Sequence, residues 1–196
     1  LRILVFRNLE NNHFSEGRNG ETMNRNVILY IAMSLDGYIA RKNGDIDWLD
    51  GDGSEPNADF GYDAFYESID TVIMGRKTYN QVLTFGEYPY KGTNGYVFTS
   101  QKRINTEDVV FTDENAEDLI GKLRNESGID IWLIGGAGII ETFIQKDLID
   151  EYVITVLPCI LGEGIPLFRG ISPEIKLKMV KNTSVNGMAM LHYTRR

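Results

Sequence analysis

The chain carries a single cysteine, Cys159, among 196 residues. One thiol excludes an intramolecular disulfide framework and a cysteine-only metal site, and it points to a reducing compartment, the cytoplasm. Histidine is almost as scarce. His13 and His192 are the two present, one near each end, so neither a histidine acid–base pair nor a histidine metal site is expected. No apolar run approaches the ~20 residues that span a bilayer, which argues against a membrane partner. The opening stretch, residues 1–6, is too short for a signal-peptide core, and no small-residue cleavage site follows it. Basic residues are outnumbered, 20 Lys and Arg against 28 Asp and Glu, for a net charge of −8. A nucleic-acid footprint needs the opposite balance. An anionic small molecule is not excluded, because a local basic pocket or a helix N-terminus can hold phosphate on an acidic protein.

What is present is an ordinary globular composition, 42% hydrophobic and 24% charged, with an excess of glycine at 20 residues. This length is enough for one domain with a core of its own. Residues 1–22 are polar and mixed in charge after residue 6, and Met23 directly precedes the first clear strand. They are read as an upstream extension or expression remnant, with a native accessory segment as the alternative. Residues 23–196 are read as a single domain.

Hydrophobic patterning divides that domain into alternating strands and helices. The continuous apolar run at 27–35 suits a buried strand. Asp36-Gly37 ends it, and a long loop follows, in which Asp47-Trp48-Leu49 is apolar enough to dock back. Helices are expected at 60–69, 76–83, 115–124 and 137–145. Further strands are expected at 71–74, 95–100, 109–112, 129–134 and 151–157. Residues 161–168 read as a loop. Asn186-Gly187 between two β-prone runs, 175–184 and 188–193, marks a hairpin. The pattern gives an α/β domain in three layers: a mostly parallel central sheet, helices on both faces and a C-terminal antiparallel hairpin.

Two junctions carry the chemistry. At Ile134-Gly135-Gly136-Ala137-Gly138 a buried strand enters a helix. Glycines there admit a phosphate against the backbone, and the helix start offers free N–H donors. The same turn could also serve only to pack a helix closely on a sheet. At Met74-Gly75-Arg76-Lys77-Thr78 the geometry recurs, and two cations stand at a positive helix end, a conflict that an anionic ligand would remove. Thr99-Ser100-Gln101-Lys102 closes a third strand. Three such ends on one sheet edge would form the crevice in which open α/β sheets bind ligands.

These residues resemble the dihydrofolate reductase fold family over nearly all of 23–196. The resemblance is carried by Met33-Ser34-Leu35-Asp36-Gly37-Tyr38-Ile39-Ala40, Asp47-Trp48-Leu49, the two glycine junctions and the closing antiparallel strands. Ser34-Leu35-Asp36-Gly37 and the stretch 158–168 are most similar to the reductase domain of the bifunctional riboflavin-biosynthesis deaminase–reductase. No deaminase motif is present, so the chain resembles a stand-alone member of that branch.

The resemblance implies NADPH as cofactor. Gly75, Arg76, Lys77 and Thr78 would hold phosphates at one helix start, and Gly135, Gly136, Ala137, Gly138 and Ile139 would cover the pyrophosphate at the other. Ser100, Gln101 and Lys102 would flank the 2′-phosphate, and Ala32 and Met33 would lie against the nicotinamide carboxamide. It implies hydride transfer to a small pterin- or ribosylaminopyrimidine-like heterocycle, and a homodimer, which would also cover the edge left by the last strands.

The catalytic candidates are Asp63, Asp36, Thr155 and Glu163. Their plainer readings are a solvated helix residue, an Asp-Gly turn, a β-branched strand residue and a solvated turn. Asp59 reads as a helix cap. Neither Asp59 nor Asp63 has an aromatic residue four positions on, so the register departs from that of folate reductases. Trp48, Tyr62 and Phe65 are expected as pocket wall or core. Cys159 is expected to be an inert packed thiol. A non-catalytic ligand-binding relative with the same fold is the alternative from another class.

Overall fold

The computed structural model describes residues 25–55, 61–170 and 174–196. The expected 1–22 extension and Asp59 lie outside them. Among the described residues ten strands and four helices follow one another in the order β1 (Val27–Ser34), β2 (Tyr38–Ala40), α1 (Tyr62–Glu67), β3 (Ile69–Gly75), α2 (Arg76–Val82), β4 (Asn94–Phe98), β5 (Val109–Thr112), α3 (Ala116–Asn125), β6 (Asp130–Gly135), α4 (Ala137–Gln145), β7 (Glu151–Leu157), β8 (Ile165–Pro166), β9 (Leu177–Val185) and β10 (Met188–Arg195). A 3-10 turn, Leu83–Phe85, extends α2.

Eight strands form one sheet in the order β5-β4-β3-β6-β1-β7-β10-β9. The pairs from β5 to β7 are parallel. β10 runs antiparallel to both β7 and β9. The hairpin is therefore inserted with its second strand inward, and β9 forms the outer edge. This is the mostly parallel sheet with a closing antiparallel pair expected from the sequence.

Strand alternation sends successive side chains to opposite faces, and both faces are apolar here. Leu29, Ile73, Ile131 and Leu133 pack with Leu119 and Ile120 of α3 and Ile140 and Phe143 of α4. On the other face Ile28, Val72, Met74 and Trp132 pack with Phe65 of α1 and Tyr79 and Val82 of α2. The parallel strands read as unbroken hydrophobic runs because a helix layer covers each side. α3 shows the local logic. The Asn115 side chain accepts from the Glu117 N–H at 2.9 Å, acids occupy the first turn and Lys122 and Arg124 the last, each opposing the helix dipole.

The 38–40 and 165–166 segments depart from expectation. They lie in stretches read as loops, yet β2 and β8 pair as a small antiparallel ribbon, Tyr38 opposite Pro166 and Ala40 opposite Ile165. A two-residue strand containing proline carries no period to detect. At the opposite end of the sheet Arg25 is buried. Its guanidinium pairs with Asp70 and donates to Thr71 Oγ1 at 2.6 Å, Ile129 O at 2.8 Å and Leu123 O at 3.3 Å. One side chain thus ties β3, α3 and the start of β6 together.

Candidate functional site

Because β1, β3, β4, β6 and β7 are parallel, they all end on the same edge. α2 starts directly at the end of β3, and α4 directly at the end of β6. A cleft of about 1390 Å³ opens along that edge.

Its lining unites much of what the sequence singles out. Gly75, Arg76, Lys77 and Thr78 come from the β3–α2 junction, Thr99 and Ser100 from the end of β4, and Gly136, Ala137, Gly138 and Ile139 from α4. Ala32 on β1 and Thr155 on β7 line it as well, and they are direct partners across the parallel pair. The glycines are there for space: a Cβ on Gly136 would stand 3.0 Å from Thr78 Oγ1, and Gly135, at φ +127°, holds a conformation that side chains resist. The Gly135–Gly136 peptide is cis.

Charge is distributed unevenly around the cleft. Of its cations, Lys42 pairs with Glu163 and Arg169 with Glu141. Arg76 and Lys77 form no ion pair among the described residues. No side chain caps α4, whose N-cap is Gly136, so its first N–H groups are open to an anion.

Several expected site residues lie elsewhere. Asp36 is not in the lining. Its carboxylate accepts from Ser34 Oγ at 2.6 Å and from the Leu161 and Gly162 N–H groups at 3.1 and 2.7 Å. The Ser34 hydroxyl, then those amides, hold its pKa below the usual carboxylate value against the opposing effect of desolvation. It is a staple between the β1 end and the loop after β7. Burial pushes the pKa of the nearby Cys159 thiol up, and the Asp36 charge adds to this; the thiol is half-buried beside the Trp48 cluster. Glu163 is a surface residue paired with Lys42, both largely exposed.

Phe65 lies one layer below the cleft, fully buried and stacked on Tyr30 at 4.2 Å between centroids. Trp48 docks on Leu157 and Met188, and its neighbours Asp47 and Leu49, not Trp48, reach the lining. Asp63 sits in the first turn of α1, but the α1 residue that lines the cleft is Tyr62. Met33 packs into the core beneath α4. Gln101 and Lys102 are exposed beyond Ser100, and Gly135 stands one residue behind the lining.

Sequence reasoning named Tyr62 as pocket wall and missed the three aromatic residues beside it. Tyr30, Tyr62, Tyr90 and Trp132 all line the cleft. Trp132 is its hub, edge-on to Tyr62 at 6.0 Å, to Tyr90 at 5.4 Å and to Tyr30 at 6.1 Å, with its indole N–H donating to Tyr30 O at 3.0 Å. Tyr30 and Trp132 read as core strand residues. The available signal was their shared face near the carboxyl ends of adjacent strands. Tyr90 lies in a segment without regular structure and offered no signal. Burial raises the hydroxyl pKa of Tyr62 and, more strongly, of Tyr90, so both stay protonated phenols. Arg169 was also missed; its guanidinium is 4.0 Å from where a Gly138 Cβ would stand.

Comparisons with known proteins agree with this fold. The family model described as the RibD C-terminal domain matches residues 25–188. The uncharacterized protein YwjB of Bacillus subtilis (strain 168) is 46% identical over 176 residues, covering 88% of this chain and 99% of that protein. The crystal structure of a protein ascribed to riboflavin biosynthesis in Shewanella sp. PV-4 superposes with a TM-score of 0.78 at 33% identity, covering 87% of this chain and 99% of that one. The dihydrofolate reductase of Enterococcus faecalis, complexed with NADP(H) and RAB-propyl, shares the fold with a TM-score of 0.63 at 19% identity, over 88% of this chain and 98% of that one.

Proposed function

The chain belongs to the RibD C-terminal domain family, a reductase-type family with the dihydrofolate reductase fold, and on that premise we propose that it is an NADPH-dependent reductase of a small heterocycle. The carrying observation is the pair Arg76 and Lys77, two cleft-lining cations without a carboxylate partner among the described residues. Unpaired like charges side by side are unfavourable unless an anion joins them.

The residues present fit a phosphorylated dinucleotide. Arg76, Lys77 and Thr78 would hold phosphate oxygens, with Ser100 and Thr99 beside them at the end of β4. The uncapped start of α4, with Gly136 and Gly138 leaving the backbone open, would accept the pyrophosphate. Ala32 and Thr155, paired on adjacent strands, form a flat floor for the reactive ring. When bound, the cofactor supplies a hydride; alignment and exclusion of water are the protein's contribution. A pterin- or ribosylaminopyrimidine-like ring is the substrate class.

Isothermal titration tests the reading. NADPH is expected to bind more tightly than NADH. Arg76→Ala is expected to weaken NADPH by about tenfold or more, the loss of one charge-assisted hydrogen bond. No heat with either nucleotide would sink the proposal. We also propose a homodimer covering the β9 edge, where Met179 and Val180 are exposed; light scattering that reports a monomer at working concentration would remove it.

A further inference from the structure

Arg169 reaches the cleft from outside the strand–helix junctions, on the loop that follows β8. Leu167, two residues earlier, is buried, and its N–H donates to Gly37 O at 2.9 Å, so the chain is anchored just before the arginine. The side chain then lines the cleft beside Gly136, Ala137, Gly138 and Ile139. Its Nε donates to Glu141 Oε2 at 2.9 Å. Neither of its terminal nitrogens has a hydrogen-bond acceptor among the described residues. Glu141 is pressed in turn by the same loop, since a Cβ on Gly170, at φ +60°, would stand 3.1 Å from Glu141 Oε1.

Glu141 stands three positions after Gly138, so the two share a face of α4. Gly138 puts no side chain on that face. Beyond the helix's own backbone, the one atom among the described residues that a Cβ there would meet within 4 Å is Arg169 Nη2, at 4.0 Å. The guanidinium and the helix start therefore face each other across open space. The first bonds of α4 run from the Ile139 and Ile140 N–H groups to Gly136 O, which leaves the Ala137 and Gly138 N–H groups ahead of the bonded turn. Donors converge on one gap from two sides, backbone amides from the helix and an arginine from the loop. The sheet order explains the placement. β6 lies between β3 and β1. Arg76 and Lys77 flank the β6–α4 junction from the β3 side. Arg169 flanks it from the β1 side, through the pairing of β8 with β2.

A lone carboxylate at Glu141 would repel an anion bound over the helix start. The contact with Arg169 Nε cancels that charge and leaves both terminal amino groups of the guanidinium for a ligand. A planar fork of parallel N–H bonds matches a phosphate group, which a lysine ammonium does not. We propose that Arg169 is a cofactor-binding residue that grips the pyrophosphate of the dinucleotide against the start of α4, with Glu141 as the positioning residue that holds its Nε. The inference rests on the cofactor reading above and deepens it, by adding a clamp on the wall opposite Arg76 and Lys77.

Calorimetry on the full chain compares NADPH with adenosine 2′-phosphate, which keeps the adenosine 2′-phosphate end of the cofactor and lacks the pyrophosphate. Arg169→Ala is expected to weaken NADPH about 10- to 100-fold, the value of a charge-assisted contact, and to leave adenosine 2′-phosphate unchanged. Arg169→Lys, which keeps the charge without the fork, is expected to lose most of that NADPH affinity as well. In a Glu141→Ala background the loss caused by Arg169→Ala is expected to shrink by about threefold or more, because an unanchored guanidinium has less to lose. The proposal is overturned if NADPH affinity survives Arg169→Ala, if adenosine 2′-phosphate falls by the same factor, if Arg169→Lys binds NADPH like wild type, or if the loss is equal in both backgrounds. A wild-type chain that binds no NADPH fails the cofactor reading and this inference with it. NADPH binding that is indifferent to Arg169 fails this inference alone.

Discussion

The Asp36 carboxylate accepts from one hydroxyl and two loop amides, and that set of bonds makes stability depend on pH. The folded-state pKa lies below the ordinary 3.8. The carboxylate's contribution is therefore complete above that value and lost as pH falls through the lowered folded-state pKa. Asp36→Asn is expected to melt below wild type at neutral pH, and the gap is expected to close in acid. Thermal melts across that range check it, and a gap independent of pH would overturn the assignment. The residue was a catalytic candidate because an Asp-Gly beside a strand end says nothing about who accepts from whom. The loop amides it serves lie 125 and 126 positions away in sequence. At the glycine junction, Gly136→Ala is expected to reduce NADPH affinity, because the added Cβ would meet Thr78 Oγ1 at 3.0 Å and stand where a phosphate must approach. Unchanged affinity by calorimetry would speak against the pyrophosphate placement.

The closing hairpin shows how an element can be read from two residues. Asn186 and Gly187 have φ of 51° and 73°, the left-handed pair required by a two-residue turn that follows the strand twist. Gly187 is needed twice over, since a Cβ there would lie 2.5 Å from Asp52 Oδ2. Gly187→Ala is expected to destabilise the fold by about 1–3 kcal/mol, read by denaturant unfolding. Strong local signals of this kind made the main strands and helices legible: apolar runs, glycine at strand ends, Asn115 before an amphipathic helix. β2 and β8 were hidden because each finds its strand partner in the other, far along the chain. The glycine junctions that line the cleft were legible because they sit at strand–helix junctions, where sequence neighbours become spatial neighbours. The aromatic wall was legible only at Tyr62, because Tyr30, Tyr90 and Trp132 come from three other segments, and none of the three stands out when read alone.

Across the whole molecule, the two ends of the sheet do different work. The carboxyl edge is open and carries the cleft, while the amino edge is closed over Arg25. The contacts of that one side chain span 45 to 104 positions in sequence. Links of such high contact order close late, because chain entropy opposes them until intervening segments have docked. The bonds of Arg25 should thus be largely absent from the folding transition state. Arg25→Met, which leaves Asp70 without its cation, is expected to speed unfolding by orders of magnitude while barely slowing refolding in stopped-flow chevrons. The closed amino edge would then act as a latch, setting how long each folded molecule survives.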